Sequence, residues 1–361
     1  MLCPHTRLNK HTSRRKEQKS YDFTEHKNEA DGDGGGFGWS VGIWAGWRTC
    51  RANTFDGTEA KSRNKVARLV PASKPSDCAA GKPYCYEAPV RLNSPVNTVG
   101  FEGGPSLSAD GLELYFVSDR PGALGGPGDQ DIYVSRRATT QDDWGPPERV
   151  PPPVSSPFFD ITPSISQDGL ALYFGSNRPG PNSPPWPDLW VSHRTSVADA
   201  WGDAVNLGSG VNTQLFEGSI SVSNDELTAY FAGMTLDFVF KMYVATRTSK
   251  DEPFGSRVLV DAPINYDGNS YGPALTPSGH VMFFAAGADN PFAPGAINHI
   301  YVSERKNEGD SWGTPIYLDT INCPTCFGGL PTIRAGGKEI CWMGDRGDSY
   351  GDKDIYCAER R

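Results

Sequence analysis

From Gly104 to Gly122 the chain reads GPSLSADGLELYFVSDRPG. Apolar and polar positions alternate on either side of Asp110-Gly111, and the phrase closes on Arg-Pro-Gly. Alternation with a period of two is the mark of a half-buried strand. Nearly the same phrase returns from Thr162 as TPSISQDGLALYFGSNRPG. Its proline position recurs at Pro105, Pro163, Ile220, Pro273 and Pro331, in steps of 58, 57, 53 and 58 residues. An aromatic after an acidic run recurs at Trp144, Trp201, Phe254 and Trp312, in steps of 57, 53 and 58. Two independent landmarks keep one register, the short third step included, so the chain holds five repeats.

Each repeat reads as strands. In the first, PSLS is strand one, LELYFVS strand two, DIYVSRR (Asp131 to Arg137) strand three and PERVPP strand four. Asp110-Gly111 supplies the positive φ that a tight hairpin turn needs. Four short strands per repeat, with Gly and Pro at the junctions, predict a propeller blade. Helical periodicity is nowhere sustained. The fifth repeat stops at the chain end, DKDIYCAERR, without its fourth strand. That would leave an unpaired edge. The segment YCYEAPVRLNSPVN fills the gap: Tyr86 stands 58 residues before Trp144, and Pro89-Val90-Arg91-Leu92 matches Pro315-Ile316-Tyr317-Leu318. The expected fold is all-β, a five-bladed β-propeller closed by an N-terminal strand that completes the last blade. It spans residues 83–361, with blades near 98–155, 156–212, 213–265, 266–322 and 323–361 plus strand 86–95.

The repeat PSLSADGLELYFVSDRPG…DIYVS resembles the TolB-like, WD40-like (PD40-type) repeat, and the pattern covers all of 83–361. The resemblance implies a β-propeller but no single activity. Similar proteins bind proteins, peptides or glycans, and some such repeats sit in larger enzymes.

Composition narrows the partners. The chain has 361 residues, net charge −9, 41 glycines and 30 prolines. The acidic balance argues against a nucleic-acid backbone as partner. No apolar run approaches the roughly 20 residues of a membrane span. The chain is expected to act as a monomer on a protein, peptide or oligosaccharide ligand. Residues 1–75 are a different text: basic RLNKHTSRRKEQK, linker-like EADGDGGGFG and a short apolar island, Phe37 to Trp47. They read as a disordered or non-native extension. Ser13-Arg14-Arg15 lies too far from the island for a twin-arginine signal, and no clear signal peptide is present.

Six of the eight cysteines gather near the expected seam of the ring: Cys78 and Cys85 flank the closing strand, Cys323 and Cys326 form CPTC, and Cys341 and Cys357 fall on neighbouring strands of the last blade. Aligned with Tyr115 and Val134, the last two suit a cross-strand disulfide. Disulfides at the seam point to a periplasmic or secreted protein. The competing reading is a zinc site, but one CxxC without a second CxxC or a His pair supports it poorly.

Candidate chemistry falls on one face, where the lead-in to strand one and the link from strand two to strand three meet in every blade. Three residues before the phrase's proline position stand Glu102, Asp160, Glu217, Ser270 and Gly328. One reading makes the three carboxylates blade-to-blade fasteners accepting backbone N–H groups. The other makes them a glycan-hydrolase or lyase site at the channel mouth, with two carboxyls about 5–10 Å apart. In count and order they are similar to the three carboxylates that five-bladed arabinanases and fructosidases draw from their first three blades. The surrounding motifs of those enzymes are absent. In the strand two–three links, Asp119, Arg120, Asn177, Arg178, Asp345 and Arg346 recur in register. Either each pair folds its own loop, or Arg120, Arg178 and Arg346 hold an anionic ligand such as a uronate. Trp186, Phe238, Phe240 and Tyr350 are candidates for stacking a sugar. Trp144, Trp201 and Trp312 repeat at one blade position and read as packing. Calcium is the one cofactor left open: Asp129, Asp131, Asp348, Asp352 and Asp354 carry suitable oxygens without calcium-loop spacing. No metal trio or nucleophile–base pair is visible.

Overall fold

A computed structural model describes residues 83–361 apart from 127, 182–184, 267, 289 and 292–294. Residues 1–75 and Cys78 lie outside the described residues. The described chain forms five four-stranded antiparallel sheets and no α-helix. Blade I holds β2 (Glu102–Leu107), β3 (Glu113–Ser118), β4 (Asp131–Arg136) and β5 (Glu148–Arg149). Blade II holds β6 (Asp160–Ile165), β7 (Ala171–Ser176), β8 (Asp188–His193) and β9 (Val205–Asn206). Blade III holds β10 (Glu217–Val222), β11 (Thr228–Met234), β12 (Phe240–Thr246) and β13 (Val258–Leu259). Blade IV holds β14 (Asn269–Leu275), β15 (Val281–Gly287), β16 (His299–Glu304) and β17 (Ile316–Tyr317). Blade V combines β18 (Phe327–Ile333), β19 (Glu339–Asp345) and β20 (Asp354–Glu359) with the N-terminal β1 (Val90–Arg91).

The ring closes through β1, which pairs antiparallel with β20, Val90 opposite Cys357 and Arg91 opposite Tyr356. Register in the last blade follows the repeats: Cys341 opposes Cys357 as Tyr115 opposes Val134. A disulfide joins Cys341 to Cys357 and another joins Cys323 to Cys326. Cys85 is also disulfide-bonded.

The core lies between blades. One apolar cluster fills each junction, for example Tyr115, Ile132 and Val134 of blade I against Phe174, Trp190 and Trp201 of blade II. The junction of blades V and I packs Ile355 and the Cys341–Cys357 bridge on Phe116, Tyr133 and Trp144. The repeated aromatics each lie under an arginine that follows strand three: Arg137 over Trp144, Arg194 over Trp201, Arg247 over Phe254 and Arg305 over Trp312, at 4.1–4.5 Å. Each of those arginines also donates through Nε to a carbonyl of its blade's first turn, as Arg137 does to Gly111. The opening phrase is explained locally as well. The Asp110 carboxylate accepts the Ser108 hydroxyl and the Leu112 N–H, and Gly111 takes φ +74°.

Every inner strand carries a bulge next to the axis, with one left-handed residue: Gly104, Thr162, Ser219, Gly272 and Leu330. At Gly272 a Cβ would come within 3.0 Å of the Leu330 Cα, so the close approach of blades IV and V requires glycine there. Hydroxyls beside the bulges link blades near the axis. Ser106 accepts the Ile165 N–H, Ser221 that of Leu275, and Thr332 that of Leu107, each at 3.0 Å.

Candidate functional site

The lead-in loops and the strand two–three links collect on one face, which holds every residue singled out from the sequence as a ligand or catalytic candidate. Glu102, Asp160 and Glu217 each open the inner strand of their blade, and each is fully buried. Their partners are internal. Glu102 Oε2 accepts the Thr98 N–H at 2.7 Å, and Oε1 accepts the Thr98 and Ser118 hydroxyls at 2.8 Å. Asp160 Oδ2 accepts the Ser156 N–H and hydroxyl, and Oδ1 accepts Arg178 at 2.6 Å. Glu217 Oε2 accepts the Thr213 N–H, and Oε1 accepts the Thr213 hydroxyl and Arg257 at 2.6 Å. Both oxygens of each carboxylate are thus engaged. Burial pushes all three pKa values up, while these donors and the arginines pull them back.

The axial channel has other walls. Pro105, Ser106, Thr162, Ser164, Ser219, Ser221, Gly272, Leu330 and Thr332 line it, together with neighbouring inner-strand residues, and none of the three carboxylates does. Its volume is about 60 Å³, room for a few waters. The carboxylates are sealed inside three separate blades, each clamping the loop four residues ahead of it.

The arginines divide. Arg120 donates to the Ser118 hydroxyl and to the Val96 carbonyl at 2.6 Å, and lies 3.4 Å from Glu102. Arg178 repeats the arrangement with Ser176, Val154 and Asp160. Both stitch a link to the lead-in of the same blade. Asp119 and Asn177 do the same work, accepting the N–H groups of Phe101 and Phe159. In blade V, Asp345 accepts the Gly347 N–H and faces Lys353 at 3.4 Å, while Arg346 donates to the Ile321 carbonyl at 2.6 Å.

The acids proposed for calcium fall into two groups. In blade I, Asp129 and Asp131 accept the successive N–H groups of Gly125 and Leu124. In blade V, Asp354 accepts the Tyr350 N–H and Asp348 the Tyr356 hydroxyl. Among the described residues no three of these acids bring ligand oxygens within 4.8 Å of one another. The one such cluster is Glu339, Cys341 and Cys357, whose sulfurs are joined. Asp131, Asp188 and Asp354 occupy one position in three blades, are fully buried, and each leaves Oδ1 without a hydrogen bond among the described residues. Burial lifts Asp131 to about 6, helped by the nearby negative charges of Asp129 and Asp160.

The loop face also carries exposed apolar side chains among its exposed acids and glycines. Val99 is 89 % exposed, Leu236 83 %, Phe238 51 % and Tyr350 46 %. Leu124, Phe158 and Ile297 add smaller exposed areas. Trp186 is partly buried with Ile161, Leu215 and Leu330 against Phe216, Phe240 and Tyr271, and Arg91 stacks 3.6 Å from the Tyr350 ring centre. Sequence reasoning singled out Phe238 and Tyr350 as loop aromatics but missed the aliphatic part of the rim, Val99 and Leu236, because those residues fall between strands where no period marks them. It also missed Thr98, Ser156 and Thr213, although a hydroxyl four residues before each carboxylate is a readable signal. Arg257, the partner of Glu217, follows the third blade's strand three and so lay outside the aligned links.

No protein-family model and no curated protein matches the chain. Solved structures share its fold. An α-L-arabinofuranosidase from Lactobacillus brevis is 15% identical, with a TM-score of 0.50 over 74% of this chain and 92% of that one. An α-L-arabinofuranosidase from Podospora anserina is 8% identical, with a TM-score of 0.51 over 77% and 96%. TolB from Acinetobacter baumannii is 12% identical, with a TM-score of 0.40 over 72% and 55%. The likeness to the two arabinofuranosidases, at these identities, establishes the propeller fold alone.

Proposed function

We propose that this propeller is an extracytoplasmic binding module that takes a protein or peptide on its loop-rich face. The observation that carries this reading is the contrast on that face. The three carboxylates are buried with both oxygens engaged, while Val99, Leu236, Phe238 and Tyr350 stand exposed around them. Exposed apolar side chains collected on one face suit a macromolecular partner. A glycosidase needs one carboxylic acid and one carboxylate facing the sugar, and here either would first have to break its loop clamp. The disulfides Cys323–Cys326 and Cys341–Cys357 support an oxidising compartment. No helix among the described residues is long and apolar enough to cross a membrane.

The test is a display selection of random peptides on the full chain. Peptides should be enriched, and their affinity should fall at least tenfold when Leu236→Glu and Phe238→Glu are combined. Enriched peptides that bind this variant unchanged would place binding elsewhere and end the reading.

A further inference from the structure

The five blades can be compared as five solutions to one local problem: how to hold the lead-in loop against the strand two–three link. Blades I and II use a carboxylate and an arginine of that link, Glu102 with Arg120 at 3.4 Å and Asp160 with Arg178 at 2.6 Å, while blade III pairs Glu217 at 2.6 Å with Arg257, which comes from the connection between strands three and four. Blade IV has neither in this role. Ser270 replaces the carboxylate and donates its hydroxyl to the Ile264 carbonyl, and the link 288–298 contains no arginine. Blade V is the exception. Gly328 stands at the carboxylate position and Gly344 at the position of Ser118 and Ser176, yet Arg346 remains. It keeps the carbonyl contact of its counterparts, on Ile321 where Arg120 uses Val96. It has lost both side-chain acceptors.

Arg346 is consequently a partly buried cation without a counter-ion within 4.0 Å among the described residues, unlike Arg120, Arg178 and Arg257. The acid whose field reaches it is Asp348, and that carboxylate is taken by the Tyr356 hydroxyl. Asp345 is engaged by Lys353. Burial lowers the Arg346 pKa, so the site disfavours the charge it carries. The loop lock itself is supplied in blade V by the Cys323–Cys326 disulfide, which falls where Thr98 clamps Glu102 in blade I. With the loop held covalently, Arg346 keeps the Ile321 carbonyl and the Tyr356 ring, 6.0 Å from its centre, but no carboxylate among the described residues. A guanidinium fork in this setting is matched by a planar carboxylate.

We infer that Arg346 is a seat for a carboxylate brought by a peptide partner, filling the role that Glu102, Asp160 and Glu217 fill inside the other blades. The surroundings favour a peptide. The Arg346 link is pressed against the lead-in of blade I, where Asp352 N–H donates to the Gly100 carbonyl. That contact brings the exposed Val99 and Tyr350 to the same edge of the face. A peptide lying on that face can bring an acidic side chain to Arg346. This inference rests on the loop face being the binding surface.

The probes are four short ligands: acetyl-Leu-Asp-Val-amide, its Asn twin, acetyl-Leu-Ala-Val with a free carboxylate, and glucuronate. The readout is the Arg346 Nε–Hε resonance in the ¹⁵N spectrum of the full chain, assigned by its loss in Arg346→Lys. At least one peptide carboxylate should move it saturably, at least tenfold more tightly than the Asn twin. Comparing the first and third probes tells a side-chain carboxylate from a chain terminus. Arg346→Gln should abolish the difference between the Asp and Asn peptides. Gly328→Glu should refill the seat from within, since a Cβ there meets nothing nearer than Ile300 Cγ1 at 3.5 Å. It should move the Arg346 signal without ligand and block the peptide. Equal binding of the Asp and Asn peptides, or glucuronate binding tenfold tighter than either carboxylate peptide, overturns the inference. Peptide selection that depends on Leu236 and Phe238 while the Arg346 signal stays still would overturn this seat and leave the loop-face reading standing. An Arg346 response to carboxylates with no peptide selected would do the reverse.

Discussion

Asp160→Asn separates a fastener from a catalyst. Asp160 is fully buried and accepts three bonds that matter here: the Ser156 N–H at 2.6 Å, the Ser156 hydroxyl at 2.8 Å and Arg178 at 2.6 Å. Asparagine keeps one acceptor and turns the other oxygen into a donor. That donor then faces either Ser156 or the guanidinium. Removing one partner of a fully buried pair costs about 3–5 kcal/mol. Arg178 is slightly exposed and keeps the Pro153 and Val154 carbonyls, so about 2–4 kcal/mol is expected. The assay is urea unfolding followed by tryptophan fluorescence, with Ser156→Ala and the double variant closing a cycle. A coupling of about 1 kcal/mol is expected between positions 156 and 160. A loss below about 0.5 kcal/mol, or a gain in stability, would refute the reasoning: it would mean that the carboxylate is held in place at the fold's expense.

Other variants probe other parts of the ring. Asp131→Asn should stabilise the protein at pH 7–8. The folded carboxyl titrates at about 6 against an ordinary 3.8, so its ionisation opposes folding above that range and not below pH 4. A gain of about 1–3 kcal/mol at pH 7 that vanishes at pH 4 is expected from thermal unfolding across pH. A loss equal at both pH values would contradict it. Gly272→Ala, at φ +63° with Leu330 Cα 3.0 Å from the new Cβ, should cost at least about 2 kcal/mol. Gly309→Ala, with open space around it, should change stability by less than about 1 kcal/mol. Replacing both Cys341 and Cys357 by serine opens a bridge spanning 16 residues and should cost about 3 kcal/mol under oxidising conditions. No change in the denaturation midpoint would show that the bridge does not stabilise the last blade, whose strands β19 and β20 it joins.

The fold was legible because repetition multiplies weak signals. A single phrase such as PSLSADGLELYF is only a hairpin, but five copies in register fix strand order, and the missing fourth strand of the last blade points to Val90–Arg91 as the closing piece. The same alignment sets Cys341 opposite Cys357, as the strand pairing has them. The site was less legible. Position in the repeat put Glu102, Asp160 and Glu217 on the loop face, but which way a side chain turns depends on its donors. Thr98, Ser156 and Thr213 decide that. Phe238 and Phe240 are candidates alike from the sequence, yet Phe238 is exposed and Phe240 buried, and the exposure of Leu236 beside them is likewise a tertiary property of the short link that follows β11. The difference between Arg120 and Arg346 lies in what stands at Glu102 and Gly328, residues 18 positions upstream in each case. It appears only when partners are compared blade by blade.

Carbodiimide labelling of carboxyl groups on the native chain, read residue by residue by mass spectrometry, tests most directly whether the three acids are fasteners beneath a binding face. Glu102, Asp160 and Glu217 should stay unlabelled while exposed acids such as Asp348 react, and they should become reactive only on unfolding. Rapid labelling of Glu217 in the folded protein, suppressed by an oligosaccharide, would contradict this and return the carboxylates to the channel mouth as a catalytic set.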